Sequence, residues 1–328
     1  MAINGNLSKA LTQERIVISV TIISFLMFSV FLPGFLTAKN LLDLTRNIAI
    51  LGILGVGLAV VVIGRGIDLS VAAVMAVCAA WAIKLSGAGV PELTAIVLAL
   101  ALAIIIGAIN GYLIAFAEIP AIFVTLASAL VVYGVGQFIL LQGLVIYIPD
   151  TSWIIPALGQ SRPFGVPVQL ILFVLIGVLG QLFLSYVRWG RFTYALGDNA
   201  ETARLTGIKV RLLIIGQYIL VAVIAYIAGL TLAGANPVYS LRTTESSTLF
   251  DAILVVVLGG VSLSGGTGSV MSVVAGTLLL GTLLNGMTIM NLPQPIQDLV
   301  KGFVLLSAIV VDAALHPRDE QTARQSDI

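Results

Sequence analysis

Long runs of apolar residues follow one another along almost the whole chain, separated by short polar or glycine-rich segments. A helix needs about 20 apolar residues to cross the hydrocarbon core of a bilayer, and most of these runs approach or reach that length. Two boundaries are indistinct, because only residues 65–68 separate the second run from the third, and the eighth run is short and passes into glycine. The pattern predicts an all-α, polytopic membrane protein with about ten transmembrane helices and glycine-rich broken-helix junctions. The predicted helices are 16–36, 47–63, 69–86, 93–115, 121–141, 168–187, 212–232, 249–261, 269–291 and 296–313.

The composition also indicates a chain that is embedded in lipid. Of the 328 residues, 59% are hydrophobic and 9% are charged, and the mean hydropathy is +1.13. A soluble domain has roughly a quarter charged residues, so this chain could not cover a water-facing surface. The first apolar run is longer than the apolar region of a signal peptide, and we expect it to be a retained helix. We therefore predict a single transmembrane domain over residues 1–328.

Little in the sequence points to catalysis, metal binding or nucleic-acid binding. The net charge is only +1, which does not favour an acidic partner. Cys78 lies in an apolar run, where it is expected to be a small buried residue, and His316 stands in the charged tail without a second ligand nearby. One cysteine and one histidine do not supply the usual ligand sets of a metal site. We expect neither an enzyme nor a metal protein.

The basic residues predict the orientation of the helices. The segment 188–211 lies between the sixth and seventh predicted helices and carries five basic residues, which places it in the cytoplasm by the positive-inside rule. Counting outward through an even number of helices places the N-terminal segment 1–15 and the tail 316–328 in the cytoplasm too. The longest outer loop, 142–167, is rich in proline and aromatic residues, which suits an interfacial segment or a docking face for an extracytoplasmic partner. The predicted cytoplasmic basic residues are Lys9, Arg15, Arg188, Arg191, Arg204, Lys209, Arg211, Arg318 and Arg324, and those outside are Lys39, Arg46, Lys84, Arg162 and Arg242.

Two opposite charges interrupt the apolar sequence between the second and third predicted helices. Arg65 and Asp68 are costly near lipid unless they are paired, buried in protein or exposed to water. Asp68 and Ser70 could cap the third helix, which is a structural role. The same residues could instead line a subunit interface or a solute pathway, or contact the solute directly. We expect Arg65 and Asp68 to compensate each other within one bent junction.

A second interruption, residues 259–269, contains five glycines with serine and threonine between them. A phosphate-binding loop would need a following lysine and a strand–loop–helix context, and this segment has neither. The segment therefore predicts a broken helix or a tight cytoplasmic turn, and a gating element is the alternative. Ser262 and Ser264 are the residues that would serve the pathway or gate.

The cytoplasmic segment 188–211 predicts a short helix. Asp198 or Asn199 would cap a helix that begins at Ala200, and Gly207 would end it. A capped helix between glycines that carries both signs of charge is suited to docking a cytoplasmic protein, and a solvated loop is the alternative.

With these motifs the chain resembles the ribose/xylose/galactoside-type permeases of bacterial ABC importers over nearly its full length. Residues 64–72 are similar to the early GGIDLSVG motif of that family, and residues 257–269 match its late VLGGxSLSGGxGS run. Residues 120–126 are similar to a further family stretch. The family's ATPase-gripping motif, GRxxYAxGxNxxAAxxxGI, is matched here by Gly190, Arg191, Tyr194, Ala195, Gly197, Asn199, Ala203, Gly207 and Ile208.

The resemblance implies that two copies of this chain form the membrane channel. Two ATP-binding subunits would dock on the cytoplasmic segment, and a periplasmic sugar-binding protein would deliver the solute. This subunit would bind no cofactor, because ATP binds to the partner subunit. The residues that we expect to take part in coupling are Gly190, Arg191, Tyr194, Gly197, Asn199, Arg204 and Gly207, and those expected to serve a pathway or gate are Arg65, Asp68, Ser70, Ser262 and Ser264.

The chain departs from the family pattern at Arg65, at Ala72 and Ala73, and at Glu201 and Thr202. Two other functions stay open. One is a permease for branched-chain amino acids, whose docking segment is related. The other is an ion-coupled transporter or channel, for which the candidate acidic residues are Asp68, Glu118 and Asp298, the last expected to pair with Lys301.

Overall fold

The computed structural model describes the backbone of residues 2–241 and 247–315 and the side chains of residues 14–241 and 248–310. The predicted basic residues Lys9, Arg242, Arg318 and Arg324, together with His316, have side chains outside this part of the chain. The helices of the described residues are α1 (Ala2–Phe31), α2 (Ala38–Ile63), α3 (Val71–Gly87), α4 (Glu92–Ala115), α5 (Ala121–Val135), α6 (Ile154–Gln160), α7 (Val168–Tyr186), α8 (Arg188–Asp198), α9 (Ala200–Leu205), α10 (Val210–Ala233), α11 (Ser247–Gly259), α12 (Val270–Ile289) and α13 (Gln294–Leu315).

Within the described residues, seven helical segments are long and apolar enough to cross a membrane. The helices α3 and α11 are apolar but shorter, and α13 carries charged residues. The prediction of a helical, multi-pass membrane protein is confirmed, whereas the predicted count of about ten helices is not. The seven segments are Glu14–Phe31, Ala38–Ile63, Glu92–Ala115, Ala121–Leu141, Val168–Tyr186, Val210–Ala233 and Val270–Ile289.

The helices α2 and α3 form the centre of the protein. Residues such as Ile53, Ala59 and Met75 have no exposed surface, and Cys78 is fully buried as predicted. The outer helices α1, α4, α5 and α7 instead carry many exposed apolar side chains, which suits contact with lipid. Because α2 is surrounded by protein, its sequence is apolar on all sides and not amphipathic.

Close helix contacts in the interior depend on small residues. A Cβ on Gly107 of α4 would lie 2.5 Å from the Tyr218 carbonyl oxygen of α10, and one on Gly111 would lie 2.5 Å from the Ile215 Cα. Membrane helices use such small residues to bring their backbones together. The α4–α10 packing is therefore fixed by glycine positions that the apolar pattern alone does not reveal.

One end of the helical bundle, the β1–β2 end, carries two short strands, β1 (Val145–Tyr147) and β2 (Val238–Ser240), which pair antiparallel with Ile146 opposite Tyr239. The short helix α6 lies at the same end. The Glu92 carboxylate accepts hydrogen bonds from the amides of Trp153, Ile154 and Ile155 at 2.9 Å each and so caps α6. The predicted outer loop 142–167 is thus an ordered segment with its own helix and strand.

The opposite end, the α8–α9 end, gathers α8, α9 and the two glycine-rich connections. Glu14 of α1 lies there too, because its carboxylate accepts hydrogen bonds from Ser269 and Ser272 at 2.9 and 2.6 Å. Arg211 at the start of α10 forms an ion pair with Glu118 at 3.0 Å. The candidate coupling residues and the candidate gate residues therefore share one end of the bundle.

Candidate coupling site

Two consecutive helices, α8 and α9, form the segment that the sequence marked for docking. The Asn199 side chain accepts a hydrogen bond from the Thr202 amide at 2.8 Å, so Asn199, rather than Asp198, caps α9. At the other end Gly207 has a φ of +85°, its amide donates to the Arg204 carbonyl at 3.0 Å, and the Ile208 amide donates to the Ala203 carbonyl at 3.2 Å. These two bonds form a Schellman motif, and the predicted capped helix is confirmed.

The inner and outer faces of this segment differ in chemistry. The side chains of Leu196 and Ala203 are buried against Val210 and Leu213 of α10. The outer face is exposed and carries Arg191, Glu201, Arg204 and Leu205. Leu205 is 80% exposed, which is unusual for a leucine at the end of a capped helix. An anchored inner face with a charged and partly apolar outer face is suited to protein docking.

Two of the predicted coupling glycines are required by close backbone approach. A Cβ on Gly190 would lie 2.0 Å from the Phe183 carbonyl oxygen, and one on Gly197 would lie 1.9 Å from the Ile63 carbonyl oxygen. Real Cβ atoms essentially never come closer than 3.0 Å to such atoms. Gly197 therefore places α8 directly on the end of the buried helix α2.

Hydrogen bonds extend the contacts of α8 to two further helices. The Tyr194 hydroxyl donates to the Gly268 carbonyl at 2.9 Å, next to the start of α12. Burial raises the pKa of Tyr194 to about 12, so the hydroxyl stays protonated and able to donate at neutral pH. The Gln217 side chain of α10 donates to Thr193 at 3.1 Å. The segment thus contacts the ends of α2, α10 and α12 together.

The connection between α2 and α3 contains the first candidate gate. Arg65 is exposed and has a φ of 65°, whereas Asp68 is only 2% exposed. The Asp68 carboxylate accepts hydrogen bonds from the Ser70 amide at 2.8 Å and the Ser70 hydroxyl at 2.6 Å, and Asn110 donates to that hydroxyl at 3.0 Å. Burial raises the pKa of Asp68 to about 6, although both bonds from Ser70 act to lower it.

Two predictions for this connection need correction. Among the ion pairs of the described residues, none joins Arg65 to Asp68, so the expected compensation between them is wrong in this conformation. The reason is backbone geometry: the left-handed turn at Arg65 leaves its side chain exposed while Asp68 is buried with Ser70. The Ser70 side chain also makes no capping hydrogen bond to α3; its hydroxyl donates to Asp68 and accepts from Asn110.

The connection between α11 and α12 is a tight turn, which agrees with the predicted broken helix or tight turn over residues 259–269. The Gly265 amide donates to the Ser262 carbonyl at 3.0 Å, and the Ser264 amide donates to the Ser262 hydroxyl at 3.2 Å. The Gly266 amide donates to the Ile63 carbonyl at 2.8 Å, so the turn lies against the end of α2. Gly260, Gly265, Gly266 and Gly268 all have positive φ values. Ser262 is buried and shapes the turn, and a gating role stays a prediction.

The acidic residues considered for ion coupling lie in different surroundings. Glu118 is exposed and pairs with Arg211 at the α8–α9 end, so it is not buried in the bundle. The expected pair of Asp298 and Lys301 is confirmed, with a distance of 2.9 Å. Lys301 also pairs with Asp251 of α11 at 3.0 Å, a partner that the sequence did not indicate. The contacts of Glu14 were missed as well, because nothing in its local sequence shows that this part of α1 lies beside Ser269 and Ser272.

Comparisons with known proteins agree with the resemblance to ABC-importer permeases that the motifs indicate. A family profile described as "Branched-chain amino acid transport system / permease component" matches residues 40–309. The chain is 32% identical over 311 residues to the ribose import permease of Escherichia coli K12, covering 93% of this chain and 95% of that protein. It is 34% identical over 300 residues to the L-arabinose transport system permease of the same organism, covering 88% and 87%. It is 30% identical over 377 aligned positions to the xylose transport system permease, covering 94% of each.

No solved structure matches the chain. The relatives are transport permeases and not enzymes, as the sequence predicted. Together with the apolar helices, they identify a multi-pass protein of the inner membrane. The chain belongs to the permease-component family of bacterial transport systems that this profile describes, which confirms the resemblance drawn from its motifs.

Proposed function

We propose that this chain is the permease subunit of an ATP-driven ABC importer for a monosaccharide or a related small polyol. The observation that carries the proposal is the α8–α9 segment, which is anchored on α2, α10 and α12 and presents an exposed outer face. The ribose, arabinose and xylose permeases that cover nearly the whole chain favour a pentose as the solute. The profile's description supplies the rival solute, a branched-chain amino acid.

Ten membrane crossings with both termini in the cytoplasm are the topology we propose. The proposal is supported by the element order, since each apolar stretch predicted from the sequence overlaps a helix of the described residues. Glu14, where the membrane-length part of α1 begins, contacts Ser269 and Ser272 at the α8–α9 end, so an early part of the chain shares the end that holds the five basic residues. That end is therefore the cytoplasmic one under the positive-inside rule.

The proposed assembly contains two permease copies, two ATP-binding subunits and a periplasmic sugar-binding protein. The ATP-binding subunit docks on the outer face of α8 and α9, where Arg191, Arg204 and Leu205 are exposed. The binding protein docks at the β1–β2 end, where Tyr147, Trp153 and Phe164 of the segment 142–167 are exposed. This chain binds no nucleotide of its own, and its exposed apolar helices contact lipid or the second copy.

Coupling follows from what α8 touches. When ATP draws the two ATP-binding subunits together, the docked α8–α9 segment moves with them. Gly197 transmits that movement to Ile63 at the end of α2, and Tyr194 transmits it to Gly268 before α12. ATP shifts the equilibrium between outward and inward access because it binds the two states with different affinities.

The test has two arms. In intact cells and in inverted vesicles, cysteines at Glu201 and Leu205 are labelled with an impermeant thiol reagent, with Tyr147→Cys at the other end as the matched control. We expect labelling at 201 and 205 only in inverted vesicles, and at 147 only in intact cells. Native Cys78 is fully buried and gives little background. The reverse pattern would overturn the orientation.

In the second arm, uptake of D-ribose, L-arabinose, D-xylose and L-leucine is measured with and without the ATP-binding subunit. We expect uptake of one sugar that is lost when that subunit is deleted. Uptake that persists would support an ion-coupled transporter, and uptake of leucine alone would support the amino-acid permease.

A further inference from the structure

Near the β1–β2 end, three charged side chains meet between α11 and α13. The Lys301 ammonium lies 3.0 Å from the Asp251 carboxylate and 2.9 Å from the Asp298 carboxylate, and Gln294 donates to Asp298 at 2.9 Å. Asp251 and Lys301 are 7% and 8% exposed, while the Asp298 side chain is 53% exposed. Ionisable residues buried at membrane depth are costly, and they commonly mark a solute or ion pathway.

A cavity of about 260 Å³ adjoins this cluster. Its remaining walls are mostly apolar, and they include the exposed ring of Phe250. Pockets for small ligands have this character, with apolar walls and a few convergent polar groups. The lining residues are Phe250, Asp251, Leu254, Asp298, Lys301, Gly302 and Leu305.

We propose that the Asp251–Lys301–Asp298 cluster is a contact site for a polyhydroxylated solute at the outer end of the permease. An ammonium group has three N–H donors, and the two carboxylates engage two of them. The third donor can bind a hydroxyl oxygen, and the carboxylates keep lone pairs that can accept from hydroxyl groups. The Phe250 ring offers an apolar surface to the C–H face of a sugar.

The chemistry of the cluster favours a neutral hydroxylated ligand over an ion. Two carboxylates and one ammonium leave a single negative charge, which disfavours an anion. A cation would compete with Lys301, which both carboxylates already hold within 3.0 Å. A sugar can use donors and acceptors together without displacing the ion pairs.

The inference rests on the proposed function, since it assumes that a sugar passes this end of the protein. It goes beyond that function by naming the first residues that the solute touches in the permease. A structural clamp between α11 and α13 is the competing explanation of the same contacts, and the experiment must separate the two.

Protection of a cysteine tests the site directly. Phe250→Cys lines the cavity, and Leu299→Cys is an exposed control on α13 outside it. Both are labelled with a polar thiol reagent in the complete transporter, with and without whichever of D-ribose, L-arabinose or D-xylose it imports. We expect the sugar to slow labelling at position 250 but not at 299, and Asp251→Asn to abolish that protection. Unprotected labelling at 250, or equal slowing at both positions, would overturn the site.

The double substitution Asp251→Leu with Lys301→Met separates binding from clamping. An apolar pair commonly replaces a buried ion pair without loss of stability, so a mere clamp would regain normal uptake. We instead expect uptake to stay reduced about tenfold, the effect of losing one charged hydrogen bond, with the protein normally assembled. Wild-type uptake in this variant would refute the site. If the unmodified protein imports sugar without the ATP-binding subunit, the proposed function is contradicted instead.

Discussion

The substitution Gly197→Ala tests whether the contact between α8 and α2 couples the docking segment to the bundle. The new Cβ would lie 1.9 Å from the Ile63 carbonyl oxygen and 2.3 Å from the Gly266 amide nitrogen. Both atoms belong to the backbone, so neither can rotate away as a flexible side chain could. The Gly266 amide also donates to that same carbonyl at 2.8 Å, and the added methyl group would push into this hydrogen bond.

The expected cost can be set against the expected gain. Overpacking by one methyl group costs about 1–3 kcal/mol in a well-packed site. Alanine in a helix is favoured over glycine by about 1 kcal/mol, which offsets part of that cost. Because both clashing atoms belong to the backbone, we expect a cost of about 2–3 kcal/mol, and the net loss of about 1–2 kcal/mol lowers the population of the docked arrangement about 5- to 30-fold.

The assay compares sugar uptake with ATP hydrolysis in proteoliposomes that contain the complete transporter. We expect Gly197→Ala to lower the amount of sugar imported per ATP about fivefold or more, because the docking segment then moves without α2. Gly134→Ala is the matched control, since no atom lies within 4 Å of a Cβ added there and its helix-propensity gain is the same. Normal coupling in the Gly197 variant would refute the reasoning.

Two further predictions follow from the same contacts. Gly207→Pro removes the amide that donates to the Arg204 carbonyl, and proline cannot adopt a φ of +85°, so this variant should uncouple ATP hydrolysis from sugar uptake. The control is Gly89→Pro, at φ +90° in the α3–α4 turn, which should leave the amount of sugar imported per ATP unchanged. The same amount of sugar per ATP in the two variants would contradict the role of α9. Arg65 and Asp68 form no ion pair, so the effects of Arg65→Gly and Asp68→Asn on stability in detergent should add to within about 0.5 kcal/mol. A larger coupling energy in the double-mutant cycle would show that the two residues interact.

The helices could be predicted from the sequence because lipid offers no hydrogen-bond partners to the backbone. Each apolar run of sufficient length must satisfy its backbone polar groups internally, and only a helix does this within one segment. The cap at Asn199 and the stop at Gly207 were equally readable, since both depend on local hydrogen bonds. Asp198 and Asn199 could not be separated in advance, because either side chain can cap a helix.

The pairing of charges could not be predicted in the same way. Arg65 and Asp68 are neighbours in sequence, yet the left-handed backbone at Arg65 separates them and Asp68 bonds to Ser70. Lys301 has its sequence neighbour Asp298 as a partner, as expected, and also Asp251, fifty residues earlier on another helix. Spacing along a helix identifies partners on the same helix only, and contacts between helices depend on how the helices pack.

The end of α2 is where the contacts of the candidate site converge. Gly197 packs on the Ile63 carbonyl, and the Gly266 amide of the α11–α12 turn donates to the same group. At the far end of the bundle, Asn40 of α2 and Asn285 of α12 exchange two hydrogen bonds of 2.9 and 2.8 Å. The helices α2 and α12 are thus joined near both ends, and α2 is buried along most of its length. Because a packed interior transmits displacement and does not absorb it, a movement of α8 at the end of α2 reaches the opposite end through this pair of helices.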